Sequence, residues 1–135
     1  MAGRAEDWFR QARRDLDHAR RSLEQGDWEW SCFAAHQAAE KALKAVYASM
    51  GEEGWGHSLM GLLEALPAAT RAAEELRRAA RDLDRHYVPS RYPNAYPRGA
   101  PYEFYTRDDA EKAVAAADQI LRFCADYLAG PPCGY

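Results

Sequence analysis

The chain has no apolar run that approaches the roughly 20 residues needed to span a bilayer. Residues 1–9 include charged side chains and hold no apolar stretch of the kind found in signal peptides. We therefore predict a cytoplasmic protein. Its 135 residues, 47% of them hydrophobic and 29% charged, are typical of one ordinary globular domain rather than of a disordered chain.

Cysteine is scarce and unpaired in sequence. Cys32, Cys124 and Cys133 form no Cys-x-x-Cys spacing, and an odd, scattered set indicates reduced thiols rather than a disulfide framework or a zinc site. The sequence also lacks a glycine-rich phosphate loop, a pair of catalytic carboxylates and a cluster of metal ligands. We predict no metal and no other cofactor.

Lysine is scarce as well, with 3 lysines against 15 arginines. The net charge of −3 gives no global attraction to nucleic acid, although it leaves room for a local basic site. Arginine suits planar, bidentate contacts, but genome composition or thermal stability can also enrich it. Arginine content alone therefore does not identify a function.

Strand patterns of useful length are absent, and apolar residues recur at helical spacing instead. The spacing predicts helices over residues 4–25, 28–50, 58–66 and 70–86, and a last helix that Thr106 and Asp109 cap and that ends before Gly130. Asp27 is the expected cap of the second helix. We predict an all-α, antiparallel up-down bundle of four long helices and one short helix, in a single domain with a core over about residues 4–129 and a tail over 130–135.

The second predicted helix is apolar over an unusually wide arc, which places it at the centre of the bundle or between the bundle and a partner subunit. His36 lies on one of its apolar stripes, where it is either a buried structural histidine or a contact to a ligand or a sister subunit. Lys41 and Lys44 lie on its polar edge. That edge is either a solvated face or a phosphate-facing edge.

Residues 87–106 interrupt the helical pattern. Prolines at positions 89, 93, 97 and 101 exclude a helix or a central strand, yet five of the chain's eight tyrosines lie here. Arginines alternate with these tyrosines, an arrangement that can hold phosphate and stack on bases. A strap whose tyrosines pack on the bundle would have the same composition. Arg91, which follows a predicted helix end directly, is the strongest candidate for function.

Two strings of the sequence resemble the HEPN family (higher eukaryotes and prokaryotes nucleotide-binding). CFAAHQAAEKALKA at residues 32–45 is similar to the second helix of HEPN domains, and DRHYVPSRYPNAY at residues 84–96 is similar to the helix end and loop of small stand-alone prokaryotic members. The resemblance implies an up-down helical bundle that forms a homodimer. It also implies a separate minimal nucleotidyltransferase as partner, in a toxin–antitoxin-like pair.

Many HEPN proteins are metal-independent ribonucleases with an Arg-x(4–6)-His motif. Arg13 with His18 and Arg81 with His86 match that motif, but this content of arginine and histidine supplies about one match by chance. Arg81 and His86 lie nearer the helix end where the resemblance places the site. In the register that starts at Arg91, Tyr96 stands where the motif needs a histidine, which argues against ribonuclease activity.

Three functions stay open on the sequence. The first is a dimeric nucleotide- or RNA-binding module, with Arg91, Tyr87, Tyr92, Lys41 and Lys44, and with His36 as a further ligand contact. The second is a ribonuclease toxin in which Arg81 or Arg91 holds phosphate and His86 is the general acid or base. The third is a non-catalytic subunit whose 87–106 segment docks the nucleotidyltransferase. We favour the first and third together.

Overall fold

The computed structural model describes residues 3–67 and 74–130. The helices are α1 (Ala5–Gln25), α2 (Trp28–Ser49), α3 (Leu59–Glu64), α4 (Glu74–Asp84) and α5 (Arg107–Leu128), with short 3-10 turns at Pro93–Ala95 and Pro101–Glu103. The predicted all-α, up-down bundle is confirmed. None of the helices within the described ranges is long and apolar enough to cross a membrane.

α2 lies at the centre of the bundle, where it packs against α1 on one side and α5 on the other, and also contacts α3 and α4. Small side chains line these contacts, which lets the helix axes approach closely. Ala12 and Ala19 of α1 are fully buried, as are Ala35, Ala39 and Ala42 of α2. Leu43 and Val46 of α2 are also fully buried, so the wide apolar arc predicted for this helix packs against protein.

The ends of α1 and α5 follow the sequence signals, whereas the start of α2 does not. Gly26 ends α1 in the left-handed conformation (φ 86°), and Thr106 and Asp109 form the predicted capping box of α5. Asp27 was expected to cap α2, and this prediction is wrong because its side chain makes no capping hydrogen bond. With φ −90° and ψ 67°, its backbone departs from the extended conformation that aims an N-cap carboxylate at the first amides.

The fourth helix ends two residues before its predicted end at His86, and residues 70–73 of the prediction lie outside the described residues. After Asp84 the backbone continues in tighter turns, with the His86 amide donating to the Leu83 carbonyl (2.9 Å) and the Tyr87 amide to the Asp84 carbonyl (3.3 Å). Pro89, which lacks a donor, prevents the helix from resuming. The side chains at 86 and 87 consequently leave the helix in different directions.

The 97–106 part of the proline-rich segment packs on itself and on the bundle. The rings of Tyr96 and Phe104 stack with centroids 4.5 Å apart, and Pro101 and Tyr105 are buried. Gly99 has φ +89°, and a Cβ there would lie 2.9 Å from the Phe104 ring. Pro101 and Tyr105 therefore anchor this half of the segment on the bundle, while Tyr102 and Phe104 stay exposed.

Candidate functional site

Arg91 closes the turn that follows α4. Its Nε and Nη2 donate to the Tyr87 carbonyl at 2.9 and 2.6 Å, and its own amide donates to the Val88 carbonyl at 3.0 Å. The guanidinium thus satisfies a carbonyl left without a helical partner where the chain turns. These bonds fix both the turn and the orientation of the arginine.

Three aromatic rings surround the Arg91 guanidinium. Its central carbon lies 4.2 Å from the ring centroid of Phe33 and 4.8 Å from those of Tyr87 and Tyr92. Nη1 also donates to the Tyr92 hydroxyl at 3.3 Å. A guanidinium has five N–H donors, so two stay available beyond these three bonds. We call this group, Phe33, Tyr87, Arg91 and Tyr92, the Arg91 cluster.

No carboxylate within the described ranges forms an ion pair with Arg91, which distinguishes it from the other candidate cations. Arg81 pairs with Glu74 at 2.9 Å, Lys41 with Asp15 at 2.5 Å and Lys44 with Glu40 at 2.9 Å. The Arg91 guanidinium instead contacts the faces of neutral rings. Because these contacts do not neutralise its charge, it can still bind an anion. Tyr92 is half exposed, so the cluster opens to solvent.

Tyr87 connects the Arg91 cluster to the interior. Its ring is stacked with that of His57, at a centroid distance of 4.9 Å and an interplanar angle of 19°, and it contacts the fully buried His36 at 5.1 Å. α2 therefore contributes Phe33 and His36, the loop before α3 contributes His57, and the turn after α4 contributes Tyr87. Chain segments far apart in sequence converge on one tyrosine ring.

Asp84, the last residue of α4, joins these segments. Its carboxylate accepts hydrogen bonds from the Leu59 amide (2.8 Å), the Met60 amide (3.1 Å) and the Ser58 hydroxyl (3.2 Å), and from His36 Nε2 at 3.2 Å. Burial opposes ionisation of Asp84, but the bonds from His36 and the two amides outweigh it and lower the pKa of the carboxyl. A charge on α4 thereby caps α3 across the fold.

His36 is a buried, hydrogen-bonded histidine, in agreement with the first of its two interpretations. Because Asp84 can only accept, Nε2 carries the proton of this bond, while Nδ1 accepts from the Gln37 amide at 3.3 Å. Its fully buried ring reaches Tyr87 but not solvent. A role for His36 toward a ligand would therefore pass through Tyr87 or Asp84.

Glu40 is a buried carboxylate beside the site. It accepts from Lys44 Nζ at 2.9 Å, from His57 Nδ1 at 3.1 Å and from the Gln37 amide at 3.4 Å. Lys44 thus reaches the neighbourhood of the Arg91 cluster through Glu40 and His57. Lys41 points toward α1, where it pairs with Asp15. The two lysines do not form one phosphate-facing edge.

His86 faces the opposite side of the turn, toward α5. Its Nδ1 lies 2.9 Å from the Tyr105 hydroxyl, in a cleft of about 240 Å³ lined also by Asp82, Arg85, Asp109 and Lys112. Arg81 instead pairs with Glu74 on the exposed surface, and Arg91 lies among the rings of Phe33, Tyr87 and Tyr92. The structure brings neither arginine into contact with His86.

The surroundings of His86 keep both it and Tyr105 uncharged. Burial and the nearby Tyr96 raise the pKa of Tyr105, so its hydroxyl stays protonated beside His86 Nδ1. The Tyr96 hydroxyl itself donates to the Pro89 carbonyl at 2.9 Å. Burial and the nearby Arg85 lower the pKa of His86, which keeps the ring neutral at pH 7.

Replacing His86 with asparagine should flatten the pH dependence of stability. The folded-state pKa of His86 is lowered, so below about pH 6.5 the unfolded chain takes up a proton that the folded chain does not, and the free energy of unfolding falls. Urea unfolding at several values between about pH 7.5 and 5.5 measures this slope. His18→Asn, on the exposed face of α1, controls for the loss of one histidine; an unchanged slope in His86→Asn would contradict the prediction.

His57 and Asp84 are site residues that the sequence did not single out as candidates, and Phe33 and Glu40 are two more. His57 lies in a loop without periodicity, and Asp84 looks like one more charge at a helix end. Each acquires its contacts only through tertiary packing, across 17 residues between His57 and Glu40 and 48 between Asp84 and His36. Phe33 and Glu40 stand inside the motif string at residues 32–45, and Asp84 is the first residue of the string at residues 84–96.

Comparison with known proteins identifies the family. The family model described as HEPN domain matches residues 5–127. This chain belongs to the HEPN domain family. TT1696 from Thermus thermophilus superimposes with a TM-score of 0.89 at 48% identity, over 91% of this chain and 97% of that one.

Two further HEPN relatives are informative. ST0689, described as an archaeal HEPN homologue, superimposes with a TM-score of 0.77 at 41% identity, over 92% of this chain and 97% of that one. The chain is also 26% identical, over 90% of its length and 86% of the relative's, to a Methanocaldococcus jannaschii protein named "Putative toxin MJ1304". The resemblance noted in the sequence is confirmed.

Proposed function

We propose that this HEPN protein is a nucleotide- or RNA-binding module in which the Arg91 cluster binds one nucleotide unit. The observation that carries the proposal is the Arg91 guanidinium, held rigidly among three rings with two N–H donors to spare. Those donors could form hydrogen bonds to two oxygens of a phosphate, and the rings of Tyr92 and Tyr87 could stack on a base. Family membership supports the same class of ligand.

A second cleft, of about 550 Å³, is a weaker candidate. It lies between the start of α1 and the loop before α3, and Arg4, Trp8, Lys44 and Trp55 are among its lining residues. The tryptophans could stack on bases, but Arg4 pairs with Asp7 and Lys44 with Glu40. An incoming phosphate would have to compete with these carboxylates, whereas at Arg91 it would meet no such competitor among the described residues.

Replacing Arg91 with alanine should weaken binding of a fluorescent hexa-adenylate RNA by about tenfold or more, because a charge-assisted contact to phosphate is lost. Fluorescence anisotropy at fixed salt measures the affinity, since salt alone shifts it. Arg13→Ala is the matched control, because the Arg13 guanidinium also lies over a ring, 4.8 Å from the Phe9 centroid. Equal loss in both variants, or no loss in Arg91→Ala, would remove the assignment.

The proposal extends to the assembly in which the module works. Trp30, Val88 and Tyr92 leave an apolar face half exposed beside the Arg91 cluster, and Trp30 packs edge-on against Phe33 at 6.2 Å. Such a face suits a homodimer contact, and a nucleotidyltransferase subunit is the partner that the family resemblance implies. Light scattering on the protein alone, and after mixing with a nucleotidyltransferase encoded beside it, measures both associations.

Ribonuclease activity finds less support in the geometry. The lowered pKa of His86 favours the neutral ring that a general base requires, and the residue lines a polar cleft. Neither Arg81 nor Arg91 faces that cleft, where Arg85 and Lys112 are the cations present among the described residues. If the protein cleaves RNA through His86, Arg85 rather than Arg81 should hold the phosphate. Metal-free cleavage assays on the Arg81→Ala and Arg85→Ala variants separate the two assignments.

A further inference from the structure

The ring of His57 occupies the kind of position that a nucleobase would take on Tyr87. The two rings are nearly parallel, with 19° between their planes and 4.9 Å between their centroids. The Arg91 guanidinium lies 4.8 Å from the same Tyr87 centroid. A planar ring and a cation thus both contact one tyrosine ring, and a nucleotide likewise carries a planar base and a charged phosphate.

We propose that His57 is a displaceable cover on the base-stacking face of Tyr87, and that a nucleotide binds by exchanging its base for the His57 ring. This inference rests on the proposed function, because it needs Tyr87 to receive a base. It adds the step by which the site opens and the residue that controls it. The ligand class is a nucleotide unit with an intact base, free or within RNA.

Glu40 keeps other hydrogen-bond partners when the His57 ring is displaced. When His57 leaves, the buried Glu40 carboxylate keeps its bonds from Lys44 at 2.9 Å and Gln37 at 3.4 Å. No buried charge is left without a partner, so displacement does not carry the large cost of an orphaned carboxylate. In the covered state, the two bonds from His57 Nδ1 to Glu40 hold the ring in place.

Displacement also leaves α3 intact. Ser58, the next residue, caps α3 through a bond from the Gly61 amide at 3.0 Å, and Asp84 binds the Leu59 and Met60 amides. None of these bonds uses the His57 side chain, which is 56% exposed and has solvent to rotate into. A change of the His57 rotamer is therefore enough to uncover Tyr87.

The test compares two probes with the same phosphates, hexa-adenylate RNA and an abasic hexamer of ribose phosphate. His57→Ala should bind hexa-adenylate about three- to tenfold more tightly than wild type, because the base no longer competes with a stacked ring. The abasic hexamer should bind both proteins equally. His57→Gln is a second variant, since its amide can still bond to Glu40 but carries no ring. His18→Ala is the control histidine.

The outcomes separate this inference from the proposed function. Binding that depends on Arg91 and tightens in both His57 variants, for hexa-adenylate only, supports the cover. Arg91-dependent binding that is equal or weaker in the His57 variants overturns the cover and leaves the proposed function standing. Binding that tightens equally for the abasic hexamer also overturns it. If neither wild type nor the variants bind hexa-adenylate through Arg91, both proposals fail.

Discussion

Replacing Asp84 with alanine is expected to lower the free energy of unfolding by about 3 kcal/mol. The carboxylate receives two backbone amides at the start of α3, the Ser58 hydroxyl and the fully buried His36. Alanine would leave the His36 Nε2–H donor without a partner in the interior and two helix-terminal amides uncapped. Urea denaturation monitored by circular dichroism measures the change.

Asp82→Ala is the matched control for this prediction. Asp82 lies two residues earlier on the same helix, but it is exposed and pairs with Arg85 at 3.1 Å. Exposed pairs contribute at most about 1 kcal/mol, so the control should change stability little. Similar losses in the two variants would show that Asp84 acts only as a surface charge.

The contribution of Asp84 to the free energy of unfolding should decrease in acid. Because the folded-state pKa is lowered, its contribution is present above the unfolded pKa of about 3.9 and is lost as the pH falls through the folded pKa. The Asp84→Ala protein should therefore lose less stability than wild type between about pH 5 and the acid transition. At about pH 7 the full difference between them should remain.

Asp84 also shows where prediction from the sequence stops. Hydrophobic periodicity and capping signals predict the helices well, because they report local geometry and burial of one face. The partners of a carboxylate at a helix end depend on which loop packs there, and no period carries that information. The capping of α3 by α4 therefore appears only in the folded structure.

Some residues of the candidate site could be predicted from the sequence, and others could not. Arg91, Tyr87 and Tyr92 lie within six residues of one another, so their clustering follows from a short turn and was predictable. Arg81 and His86 match a motif in sequence, yet α4 ends between them and the two side chains diverge. A spacing rule for helices does not hold across a helix end. His57 joins the site only because its loop packs on Tyr87.

Replacing Leu43 with alanine is expected to destabilise the protein by about 3–5 kcal/mol, at the upper end for a core truncation. Leu43 is fully buried on α2, the helix that contacts α1 and α5 along their lengths. Its neighbours along the helix include many alanines, which have no side-chain freedom with which to fill a cavity. The cavity left by the leucine should therefore stay open, and the measured loss in free energy of unfolding should include its full cost.

Leu23→Ala is the control, since Leu23 is only partly buried near the end of α1. Its loss should be clearly smaller, because solvent and the helix end can adjust. Denaturant unfolding measures the free energy of unfolding of both variants. The two losses can be compared directly if the m-values are unchanged. If Leu43→Ala cost no more than Leu23→Ala, α2 would not be the rigid centre of the fold. The same helix positions Phe33, His36 and Glu40, so its rigidity is what holds the Arg91 cluster and the His57 cover in register.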